Sequence, residues 1–86
     1  MAKVFFRPRA VKGLNSASKY EQGRIKSAIE VLKTRDFPLH TKKLGGTTSG
    51  YRIRIGKWRI LFVFEKEEID VIDIFIKKGG DDYRKL

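Results

Sequence analysis

Apolar positions change their period along this chain, and each change marks an element. Val4, Phe5 and Phe6 form a short β-prone run, so a strand is expected over Lys3–Arg7. Pro8 then suits the first position of a helix, where its missing N–H costs nothing. Val11 and Leu14 are expected to face inward from that helix, although Gly13 weakens it by roughly 1 kcal/mol against alanine. Ser18-Lys19-Tyr20-Glu21 has the S-x-x-E spacing of a capping box. Beyond it, Ile25, Ala28, Ile29 and Leu32 repeat at i, i+3, i+4 and i+7, which predicts a second helix with one buried face. Asp36-Phe37-Pro38 ends it. Leu39–Gly50 reads as a polar, glycine-rich connection.

From Tyr51 the period is two. Tyr51, Ile53 and Ile55 point one way, Arg52 and Arg54 the other. Gly56-Lys57 has glycine first, as a type II′ hairpin turn prefers. Closing that turn sets Ile55 opposite Trp58, Ile53 opposite Ile60 and Tyr51 opposite Phe62, all on one apolar face; a one-residue slip would expose them. The same register sets Arg54 opposite Arg59 and Arg52 opposite Leu61 on the other face. A third strand over Ile69–Ile76 fits a three-residue turn at Lys66-Glu67-Glu68. It pairs Phe62 with Ile72, Ile60 with Ile74 and Trp58 with Ile76, and it brings Asp73 beside Leu61 and Phe75 beside Arg59. Gly79–Leu86 has the composition for one more helical turn, with Tyr83 and Leu86 on it. The expected fold is α+β: one small domain with an N-terminal strand, two helices and an antiparallel three-strand meander, the helices packed on one sheet face.

Length and composition narrow the chemistry. At 86 residues the chain makes one domain over 1–86, and 41% hydrophobic residues suffice for a core. No apolar run approaches the ~20 residues of a membrane span, and the charged start is no signal peptide, so a cytoplasmic location without membrane contact is expected. The absence of cysteine removes disulfides, cysteine nucleophiles and zinc knuckles. Twenty Lys and Arg against ten Asp and Glu give a net charge of +10, which points first to nucleic acid. That charge is regional. No acid precedes Glu21, and none lies between Asp36 and Glu65, a stretch holding Lys42, Lys43, Arg52, Arg54, Lys57 and Arg59.

The paired arginines on a rigid sheet face therefore read as a preorganised anion site, since guanidinium forks match phosphate and stay charged. Phe75 and Tyr83 are the residues available for stacking a base. Lys77 and Lys78 lie at the rim. The other candidates are weak. His40 sits in a polar loop and reads as a surface histidine, Trp58 as core. Gly45-Gly46 lacks the G-K-[ST] of a phosphate loop. Asp81-Asp82 reads as a solvated or capping pair.

With these residues in place, the chain resembles the RelE/ParE superfamily of toxin–antitoxin toxins. The resemblance rests on the element order, on Lys43-Leu44-Gly45-Gly46, on Gly50 through Phe62 with its tyrosine-led basic strand and tight turn, and on Lys77-Lys78 followed by Asp82-Tyr83-Arg84. In its RelE branch it implies a ribosome-dependent endoribonuclease, in which a ribose 2′-OH attacks the adjacent phosphate and leaves a cyclic phosphate and a 5′-OH. It assigns Arg59 to the scissile phosphate, Arg52 and Arg54 to the backbone, and Tyr83 to the nucleotide. Lys42, Lys43, Lys57 and Arg84 fall to wider RNA and ribosome contact. Some relatives place a lysine base where this chain has Arg54, which cannot easily serve, so Lys77 or Lys78, at the rim of the arginine face, is expected to move the proton. Others use a glutamate–histidine pair, for which this chain offers no nearby glutamate and a poorly placed His40.

The resemblance implies no cofactor and no metal. It implies an acidic antitoxin that covers the basic surface, with the ribosome and mRNA as targets. The ParE branch supplies the alternative of a DNA gyrase inhibitor, and a non-catalytic RNA-binding module is a third.

Overall fold

A computed structural model describes residues 2–45 and 49–78. The elements run β1 (Lys3–Phe6), α1 (Pro8–Ser16), α2 (Lys19–Lys33), β2 (Thr41–Lys43), β3 (Gly50–Ile55), β4 (Trp58–Glu65) and β5 (Glu68–Ile76). The strands form one five-stranded sheet in the order β1-β5-β4-β3-β2. The α+β class and the meander are as expected, but the sheet is larger. β1 adds parallel to β5, and β2, inside the supposed connection, pairs antiparallel with β3.

α2 forms as its sequence dictates. The Ser18 hydroxyl accepts from the Glu21 backbone N–H at 3.1 Å, and the Glu21 carboxylate accepts from the Ser18 N–H at 3.1 Å. This reciprocal cap satisfies two orphan donors of the first turn. Ile25, Ala28, Ile29 and Leu32 are all buried, each large aliphatic side chain stabilising the fold by roughly 1.5–3 kcal/mol. Ile25, Ile29 and Leu32 meet Ile53, Ile60, Phe62, Ile69, Val71 and Ile74 of the sheet in one core, which also takes in Trp58.

α1 departs from its expected face at one of its two positions. Val11 is 43% exposed, whereas Ala10 is fully buried. The reason is proximity. β1 pairs with β5 only as far as Val71, and α1 lies against the β5 segment beyond that point. A Cβ at Gly13 would sit 1.8 Å from the carbonyl oxygen of Ile74. At that closest approach only small residues fit, so alanine and glycine occupy it and Val11 turns outward, while Leu14 packs against the core as expected.

The β3–β4 register matches the expected one at every pair, including Arg54 opposite Arg59. Gly56 at the turn has φ +57°, the left-handed region that glycine occupies without strain. The β4–β5 turn is different: Glu65 pairs with Glu68, so it holds two residues, with Lys66 at φ +54°. A bulge between Leu61 and Phe62 restores the rest, with Phe62 opposite Val71 in place of Ile72. Ile72 becomes the extra residue, and Trp58–Ile76, Ile60–Ile74, Leu61–Asp73 and Arg59–Phe75 pair as expected. The Tyr83 side chain and the tail's helical turn fall outside the described residues, as does Arg84.

Candidate nucleic-acid interface

β2 is short and polar, yet it shapes the site. Lys42 pairs with Arg52 across β2 and β3, and Arg54 pairs with Arg59 across β3 and β4. Opposite residues share a sheet face, so these four cations project together. The Lys77 backbone N–H donates to the Lys57 carbonyl at 3.0 Å, tying the end of β5 to the hairpin turn. The result is a groove of about 490 Å³ lined by His40, Thr41 and Lys42 with Arg52, Arg54, Arg59 and Lys77. Among the described residues its lining contains no carboxylate.

The arginines are held in place. Arg59 Nη1 donates to the carbonyl oxygens of Gly56 and Trp58, both at 2.9 Å. Arg54 Nη2 lies 3.1 Å from Nδ1 of His40. Its backbone N–H donates to the His40 carbonyl at 3.2 Å. Arginine side chains fixed this way lose less entropy when a ligand arrives. A groove of this size, walled by forked donors, suits a phosphate and its neighbouring sugar.

Not every expected site residue is here. Lys43 pairs across from Tyr51, one position out of phase with Lys42 and hence on the opposite face. Lys57 turns towards α2, its ammonium 3.7 Å from the Glu21 carboxylate. Lys78 is exposed and does not line the groove. Phe75 is half-buried opposite Arg59, also outside the lining. Asp73, on the same sheet face as the arginines, is engaged by Arg9 of α1 at 3.0 Å.

His40 is exposed, as expected of a surface histidine, but it is not poorly placed: it stands at the rim of the groove. Its backbone adopts φ +64°, and the β2–β3 pairing carries it beside Arg54. The signal was faint: the polar run Thr41-Lys42-Lys43 does not announce a strand, and without β2 the loop has no reason to approach the arginines.

No protein-family model matches the chain, and no curated protein matches it. Solved structures do. It superposes on RelE in the RelB–RelE antitoxin–toxin complex of Methanococcus jannaschii with a TM-score of 0.72 and 27% identity, over 84% of this chain and 88% of that one. The RelE–RelB complex of Pyrococcus horikoshii gives 0.74 at 23% identity, over 87% and 93%. The isolated Escherichia coli RelE toxin gives 0.74 at 20%, over 94% and 89%. The fold of this chain is RelE-like.

The RelE-like sheet thus carries its basic groove on the face away from the helices, where β2, β3, β4 and the end of β5 converge. Among the described residues, no three His, Asp or Glu side chains gather as a metal site would require. No helix among them is long and apolar enough to cross a membrane.

Proposed function

We propose that this RelE-like chain is the toxin of a type II toxin–antitoxin pair and acts as a ribosome-dependent endoribonuclease on messenger RNA. One observation carries the reading: Arg52, Arg54, Arg59 and Lys77 converge on a single groove, with Arg54 and Arg59 anchored by fixed acceptors. Cleavage by attack of a 2′-OH on its own phosphate builds negative charge on the phosphorane. Preorganised guanidinium donors lower the energy of that charge more than water does. Arg59, tethered to the turn, stabilises the phosphorane, while Arg52 and Arg54 hold the flanking backbone. Lys77, which lines the same groove, supplies the proton to the leaving 5′-oxygen. Tyr83 and Arg84 are assigned to the nucleotide and the ribosome by the family resemblance alone.

The natural partner is an acidic antitoxin. Relatives of this fold occur in complexes with RelB antitoxins, and a chain of net charge +10 attracts an acidic segment strongly. The setting is the cytoplasm, where ribosomes are.

The test is primer extension on a translated message with purified protein, wild type against Arg59→Ala. Discrete cuts within codons are expected, needing ribosomes and falling by at least ~100-fold in the variant, as for loss of an oxyanion donor. Translated RNA left intact by the wild type overturns the nuclease reading and turns attention to gyrase supercoiling.

A further inference from the structure

The groove contains a group that the cations cannot replace. Transfer of the 2′-OH proton needs an acceptor with an available lone pair. Arginine cannot supply one, because its guanidinium has no acceptor and stays protonated. A lysine must first give up its own proton. His40 already has the lone pair: a guanidinium can only donate, so the 3.1 Å contact from Arg54 Nη2 requires Nδ1 to be the unprotonated ring nitrogen. The arginine thereby selects one imidazole tautomer, with the proton on Nε2.

The backbone secures the same arrangement. His40 is held at φ +64°, and its carbonyl accepts from the Arg54 N–H. His40 lines two grooves that meet beside it: the basic groove with Lys42, Arg52, Arg54 and Arg59, and a second one against α2 that adds Lys19 and Arg24. A polyanion following that charge passes over the imidazole.

On the proposed nuclease reading, on which this inference rests, we propose that His40 is the base of the cleavage step. A phosphate entering the groove takes up the Arg54 guanidinium and leaves Nδ1 facing the adjacent ribose. Nδ1 then accepts the 2′-OH proton as the 2′-oxygen forms its bond to phosphorus. The bond from phosphorus to the 5′-oxygen breaks with its electron pair, and that oxygen takes a proton from the Lys77 ammonium. The products are the cyclic phosphate and the 5′-OH. His40 returns its proton to water, and Lys77 regains one.

His40→Asn separates proton transfer from positioning. Asparagine tolerates the left-handed backbone and its side-chain oxygen still accepts from Arg54, but it cannot carry the proton. Cleavage of a translated message is expected to fall at least ~100-fold in His40→Asn and in His40→Ala alike. Added imidazole is expected to restore part of the rate to His40→Ala, whose side-chain space it fills. Nitrogen-15 NMR of the wild type is expected to find Nδ1 unprotonated and the proton on Nε2. If His40→Asn cuts at the wild-type rate, or the proton is found on Nδ1, the assignment is wrong while the nuclease reading stands. A wild type that leaves translated RNA intact removes both.

Discussion

Arg54 and Arg59 face each other across β3 and β4, where like charges destabilise a sheet by some tenths of a kcal/mol. Each guanidinium finds a local acceptor that offsets this: His40 Nδ1 for Arg54, the Gly56 and Trp58 carbonyls for Arg59. The pair is retained at a cost in stability, which is the usual mark of a binding site. On the opposite face, Glu21 does structural work. Its carboxyl is held below the ordinary carboxylate range, first by the Ser18 backbone N–H. The neighbouring Trp58 indole N–H adds to this, although it makes no geometrically complete hydrogen bond. The attraction of Lys57 adds a smaller share. A carboxyl with a lower pKa folded than unfolded contributes stability that is fully present above its unfolded value. That contribution is lost as pH falls through the folded value. Thermal melts across the acid range should therefore show the wild type losing stability more steeply below the ordinary carboxylate range than Glu21→Gln, which has nothing there to protonate.

At the scale of elements, Gly13 sets two rules against each other. Helix propensity alone has Gly13→Ala stabilise α1 by about 1 kcal/mol. The new methyl, however, would lie 1.8 Å from the Ile74 carbonyl oxygen, and that atom belongs to a strand that cannot yield without disturbing the sheet. Overpacking of this kind costs about 2–3 kcal/mol or more and wins. Gly13→Ala is expected to lower Tm by roughly 10 °C or more for a domain of this size, measured by calorimetry. This close approach was invisible to periodicity, which sees a helix face but not how near its neighbour lies. The β3–β4 hairpin was fully legible, because Gly56 marks the turn and six apolar residues lock the phase. β5 was legible in part. Its apolar residues run Ile69, Val71, then Ile72, Ile74 and Ile76, and that break in alternation is the trace of the bulge. Extending the far-end phase through it placed Ile72 in the core, where Val71 belongs. β2 left no trace at all, since Thr41-Lys42-Lys43 becomes a strand only through pairing with β3. The arginines of the site were therefore legible and its histidine was not.

At the scale of the molecule, charge is sorted by place. The carboxylates of Asp70, Asp73 and Glu67 pair with Arg7, Arg9 and Arg35, and those of Glu30 and Glu21 with Lys33 and Lys57. All of these pairs lie outside the groove. The Arg7–Asp70 pair is bidentate, with Nε and Nη2 donating to both carboxylate oxygens at 2.8–3.1 Å, and it raises the Arg7 pKa further. It joins the residue after β1 to β5, so it serves the sheet. A single-stranded RNA drawn by the net charge should consequently settle in the groove and displace counterions there. For single strands, each phosphate neutralised adds about 0.7 to the slope of log affinity against log salt. Lys42→Gln, at the exposed wall of the groove, is expected to reduce that slope by about 0.7. Lys57→Gln, on the α2 side, has the same formal charge change and is expected to leave the slope as it was. Fluorescence anisotropy with a short unstructured RNA across a salt series measures both. Equal losses from the two lysines would mean that the RNA responds to total charge, and the groove would then have no special claim on it.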